Sequence, residues 1–170
     1  MSSIDRRTVL ASFVAAGATA ASSAAAAPAT IKSAEIEKDA EVACIYHCDF
    51  GEPARFAQML NNISNHYAVY GSNTFDIQLV TVVHSVGVKF FLETLDGTPW
   101  KGEAVDPALF ERVAGLAKNG LTAYLCEITF QRLKLDRAKV RKADFIRFVP
   151  SGVATIAALQ AKGFAYLKVG

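Results

Sequence analysis

Beyond residue 27 the chain contains no Gly-rich phosphate loop and no H-E-x-x-H, C-x-x-C or G-x-S-x-G motif. These absences remove the commonest nucleotide-binding, zinc, thioredoxin-type and hydrolase readings, so neither an organic cofactor nor a resident metal is expected. Charge of one sign is also missing. The formal net charge is +2, which offers no basic field for nucleic acid. Cysteine is scarce, at 3 residues in 170, and an odd number cannot close a disulfide framework. At least one thiol is left to be explained.

The first residues read as an address. In "DRRTVLASF" the pair Arg6 and Arg7 precedes a weakly apolar, Ala-rich run that reaches Ala27, a pattern resembling a twin-arginine export signal. The run is almost entirely Ala, Ser, Thr and Gly after Val14, which is poor material for a membrane anchor. Residues 1–27 are therefore expected to be removed on export to the periplasm, with cleavage after Ala27 or Ala29. No membrane span is expected in the mature chain. Residues 28–40 are mixed and charged with no period and are read as a tail, and residues 41–170 as one domain.

Within that domain short apolar runs alternate with amphipathic ones. "EVACIYHC" has the look of a strand buried on both faces. In the next stretch Phe56, Leu60, Ile63 and Tyr67 recur at helical spacing, with Pro53 near the start and Gly71 at the end. "FDIQLVTVVHS" predicts the second strand, and "VGVKFFLETL" a short helix. "DPALFERVAGLAKNG" predicts a helix capped by Asp106, with Pro107 in its first turn and Gly120 past its end. "LTAYLCEI" follows as third strand, "TFQRLKLDRAKV" as a basic amphipathic stretch, and "FIRFVP" as fourth strand. "SGVATIAALQAKG" reads as a helix bounded by Ser151 and Gly163, and "FAYLKVG" as the fifth strand. The grammar predicts an α/β three-layer sandwich, with a mainly parallel five-stranded sheet and helices on both faces. Phe90, Phe91 and Trp100 look exposed and are expected to cover a subunit interface.

Ligands of parallel sheets collect at the carboxyl ends of the strands. His47 and Cys48 end the first strand, His84 the second and Cys126 the third. Cys44 and Cys48 stand four residues apart, about 13 Å along a strand, too far for a disulfide. Alternation puts Cys44, Tyr46 and Cys48 on one face and Ala43, Ile45 and His47 on the other. Cys44, deep in its strand, reads as a buried hydrophobe. Cys126 stands where a buried strand hands over to a helix, whose terminal N–H groups favour a thiolate. A copper site built from Cys48, His84 and Cys126 is an alternative, open only if their strands are neighbours about 4.8 Å apart. A non-catalytic oligomeric interaction module with structural cysteines is another.

The segments "HCDFGEPARFAQMLNNISN", "VTVVHSVGVKFFL", "LCEITF" and "VPSGVATIAALQAKGFAYLKV" together resemble the DsrE/DsrF-like family, the sulfur-relay fold, in an exported branch. The likeness runs from about Val42 to Lys168. It implies an α/β subunit that assembles into trimers or hexamers. In relay members one cysteine accepts sulfane sulfur as a persulfide and passes it on, with sulfur donor and acceptor proteins or small sulfane-sulfur compounds as partners. Cys126 lies in the family's cysteine segment, ahead of Thr129. Cys48, His84, His47 and Thr129 are the expected partner or pocket residues, and Asp49, Asn62 and Asn65 fit the family's pattern. Ile128 departs from it where a small polar residue is expected, and Cys48 where an apolar one is.

Overall fold

The computed structural model describes residues 27–170 apart from 72 and 74. The expected export signal thus lies almost wholly outside the described residues. Five strands, β1 (Val42–Cys48), β2 (Ile77–Val83), β3 (Thr122–Cys126), β4 (Ile146–Val149) and β5 (Ala165–Lys168), form one sheet in the order β4-β3-β2-β1-β5. Every pairing is parallel. Among the described residues the α-helices are α1 (Pro53–Val69), α2 (Pro107–Ala117), α3 (Glu127–Arg132) and α4 (Gly152–Ala161).

The two faces of the sheet carry separate cores. On one, Cys44, Tyr46 and Cys48 of β1 pack with Phe56, Leu60, Ile63 and Tyr67 of α1 and with Leu109, Val113 and Leu116 of α2. On the other, Ala43 and Ile45 pack with Ile156 and Leu159 of α4. Period-two alternation along β1 produces this division. The helix ends follow their local chemistry. Asp106 accepts a hydrogen bond from the Ala108 N–H at 2.9 Å, Ser151 caps α4 through Ala154, and Gly71 and Gly163 take positive φ just past α1 and α4.

Four expectations change. The stretch read as a short helix over residues 86–95 is a 3-10 helix, Ser85–Phe91. Phe90 and Phe91, expected at an interface, are each 1% exposed and belong to the core, stacked on or edge-on to Phe56. Trp100 is partly buried against the same cluster. The third strand stops at Cys126 rather than at residue 128, because α3 begins at Glu127. The tail is docked: Phe148 donates to the Ala29 carbonyl (2.8 Å), Ile31 donates to the Phe148 carbonyl (2.9 Å), and Ile36 is buried beneath α4. Residues 29–31 thus shield the open edge of β4.

Candidate functional site

The connection leaving β2 runs to the α1 side of the sheet, where Val88, Phe90 and Phe91 are buried. The connection leaving β4 runs into α4 on the opposite side. Where they part, at the carboxyl ends of β2 and β3, an open cleft of about 510 Å³ forms. Cys126, His84, Ser85 and Thr129 line its floor and one wall. Arg132, Leu133, Ser151 and the exposed apolar side chains Ile128 and Val153 complete it.

Register decides which rim residues meet. Cys48 pairs with Val83, and Val83 with Leu125, so His84 and Cys126 follow at the same level on neighbouring strands. Alternation turns His47, His84 and Cys126 toward the α4 side. Gly152, the first residue of α4, packs over both of the last two: a Cβ there would stand 3.1 Å from His84 Cδ2 and 3.2 Å from Cys126 Cβ. All three cysteines are free thiols.

Cys48 is not part of this group. Its side chain is fully buried on the α1 side, and β2 separates its strand from that of Cys126. The arrangement expected at the rim, Cys48 beside Cys126, is not assembled, because the two thiols alternate onto opposite faces. Burial pushes the Cys48 thiol far up, with the charge of Asp49 adding to it. Burial also raises Cys44, against the pull of Lys38. Both are held as thiols in an apolar core. The same separation removes the copper site of Cys48, His84 and Cys126.

The imidazoles form a second constellation along the rim. His47 Nε2 lies 2.6 Å from His84 Nε2, His47 Nδ1 contacts the Tyr166 hydroxyl at 2.7 Å, and Asp49 Oδ2 is 3.8 Å from His47 Nε2. Lys168 donates to Asp49 at 2.8 Å. Burial pushes His47 down to about 4; Asp49 opposes this, while His84, Lys168 and Arg55 reinforce it. Burial lowers His84 as well. Burial would raise the Asp49 carboxyl, but the Lys168 hydrogen bond and the surrounding positive groups hold it below its ordinary value.

Ser85 was not foreseen. It adopts φ 53, a conformation that disfavours any side chain, and its N–H donates to the Thr129 hydroxyl at 3.0 Å. Thr129, 8% exposed, thus fixes the turn between β2 and the 3-10 helix. Such strain gathers at ligand sites, but it leaves no mark in the residue type. Arg132 and Ser151 also reach the cleft unforeseen, Ser151 having been read only as a cap. Asn62 accepts from Gln58 at 2.8 Å on the exposed side of α1, away from the cleft. Among the described residues no helix is long and apolar enough to cross a membrane.

The fold is shared with a solved protein of unknown function, MTH1491 from Methanobacterium thermoautotrophicum. That match has a TM-score of 0.58 and 20% identity, and covers 75% of this chain and 99% of the other. No curated protein matches the chain. The family comparison reaches further, matching residues 11–169. A parallel sheet with a cysteine at the end of its third strand therefore has a family to sit in, and the chain belongs to the DsrE/DsrF-like family.

Proposed function

We propose that this protein is a periplasmic sulfur-relay protein that carries sulfane sulfur as a persulfide on Cys126. One observation carries the reading: all three cysteines are buried, but Cys126 lines the cleft at the strand ends, whereas Cys44 and Cys48 belong to the core on the α1 side of the sheet. Family membership supports a sulfur-relay role in general terms. The transfer needs no cofactor. The Cys126 thiolate attacks the outer sulfur of a donor persulfide, R–S–SH. A new Cys126–S bond forms, the donor S–S bond breaks, and the donor thiolate leaves with the electron pair. An acceptor thiolate then takes the terminal sulfur and releases Cys126, so no net oxidation occurs. With Cys48 behind the sheet, the acceptor thiol comes from a partner. Arg132 at the cleft wall supplies a positive charge for an anionic donor, and the exposed Ile128 and Val153 give an apolar rim on which a partner or a second copy can seat.

The test treats wild type and three single Cys→Ser variants with polysulfide and maps the added sulfur by peptide mass spectrometry. The adduct is expected on Cys126 and absent from Cys126→Ser alone. An adduct that survives in Cys126→Ser, or none on folded wild type, overturns the proposal. Location is tested separately: replacing Arg6 and Arg7 with Lys is expected to leave an uncleaved precursor in the cytoplasm, and unchanged periplasmic processing rejects export by this route.

A further inference from the structure

The sulfur transfer proposed for Cys126 makes no use of His47, Asp49 or Tyr166. Yet His47, Asp49 and His84 each present one ligand-type atom, and these atoms all lie within 4.8 Å of one another. The donors come from fixed elements. His47 lies in β1, His84 directly follows β2, and Asp49 is the first residue past β1. His47 is oriented from behind by the Tyr166 hydroxyl on Nδ1, which leaves Nε2 turned toward His84 and Asp49. A ligating imidazole is commonly held in this way by a hydrogen bond to its other nitrogen, which fixes both ring and tautomer.

We propose that His47, His84 and Asp49 form a binding site for a divalent first-row transition-metal ion, with Zn²⁺ the representative. Two imidazole nitrogens and one carboxylate oxygen suit such ions, and three protein ligands leave a position open to water or to a sulfur ligand. This donor set is borderline in softness. It differs from the thiol-based copper site suggested by the sequence, since no cysteine takes part. The fit is close. Bonds of about 2.0–2.1 Å at tetrahedral angles place ligand atoms roughly 3.3 Å apart. The 2.6 Å between the two Nε2 atoms must widen by under an ångström, and the 3.8 Å from His47 Nε2 to Asp49 Oδ2 must shrink by about half an ångström. His84 borders the open cleft.

A positive group opposes the ion. Lys168 occupies Asp49 Oδ2. A metal therefore displaces the Lys168 ammonium, which is 39% exposed and free to swing into solvent. The site stands apart from the persulfide reading, because neither needs the other.

The experiment uses the untagged full chain, stripped by a chelator, then titrated with Zn²⁺ against a chromophoric competitor and in parallel with Co²⁺. Expected are one ion per chain at micromolar affinity and Co²⁺ visible bands without thiolate charge transfer. His84→Ala and Asp49→Asn, shown to be folded by their melting curves, are expected to weaken binding about ten-fold or more. Cys126→Ser is expected to bind as wild type does, and Lys168→Met more tightly. Three results overturn the proposal: no stoichiometric ion at micromolar concentrations; a thiolate charge-transfer band that disappears in Cys126→Ser; or wild-type affinity in both folded ligand variants. Polysulfide mapping on the metal-free protein keeps the outcome separate from that for Cys126.

Discussion

Gly87 holds the turn that carries His84 and Ser85 against the end of β1, and Gly87→Ala tests how tightly. An added Cβ would stand 2.6 Å from the Cys48 carbonyl oxygen, 2.9 Å from its sulfur and 3.1 Å from its carbonyl carbon. Ordinary contacts begin near 3.4 Å, and two of these three atoms are backbone that cannot rotate away. The same Cys48 carbonyl accepts the His84 N–H at 3.0 Å. Moving the 3-10 helix outward to relieve the clash therefore also strains that bond. Overpacking of this kind costs about 1–3 kcal/mol. Against it stands the ordinary gain of about 0.4–1 kcal/mol when a glycine with unstrained backbone becomes alanine. The net expectation is a loss of about 1–2 kcal/mol, a fall in Tm of roughly 2–8 °C for a domain of this size. Gly115→Ala is the matched control. Gly115 lies inside α2, and a Cβ there meets nothing within 4 Å, so a gain of about 0.5–1 kcal/mol is expected. Thermal and urea unfolding of the pair decide the matter. If Gly87→Ala melts at or above wild type, the close packing of this turn on Cys48 is wrong. Cys48→Ala in the Gly87→Ala background should restore little, because it removes the sulfur and leaves the carbonyl.

Three further outcomes are expected. Lys89, 5% exposed, is paired with the half-exposed Glu103; Glu103→Gln should cost about 1–2 kcal/mol in urea unfolding, discounted for solvent on the Glu side, and Lys89→Met less. Removing residues through Ile31 deletes two backbone hydrogen bonds to Phe148 and two acceptors of Arg137; a loss of about 1–3 kcal/mol and association through the bared β4 edge should appear in melting and light scattering. An unchanged melt would show that the docked segment contributes nothing. Burial lowers the His66 pKa from 6.5, so the unfolded chain binds a proton that the folded chain resists, and stability falls as pH drops below 6.5. His66→Gln should make that part of the stability–pH curve less steep, with His47 and His84, lowered in the same direction, accounting for the slope that remains; an unaltered slope would refute the assignment.

Local sequence determined a good deal. The spacing of Phe56, Leu60, Ile63 and Tyr67 marked the buried stripe of α1, and Asp106 and Ser151 marked two helix starts, because capping and periodicity act within a few residues. Alternation along β1 separated Cys48 from His47 for the same reason. Family membership and the parallel sheet also followed from the chain itself. The company each rim residue keeps did not. That depends on strand order and register, which arise from packing between segments far apart in sequence. Only the order β4-β3-β2-β1-β5 puts β2 between the two cysteine strands and brings β5, with Tyr166 and Lys168, beside His47. Phe90 and Phe91 were misplaced because the 3-10 helix has no period-3.6 stripe from which burial can be read. The strain at Ser85 is likewise set by Thr129, 44 residues away. Chemistry at the strand ends is legible in residue types, while their assembly into a cleft and an imidazole–carboxylate cluster is fixed only when distant strands align.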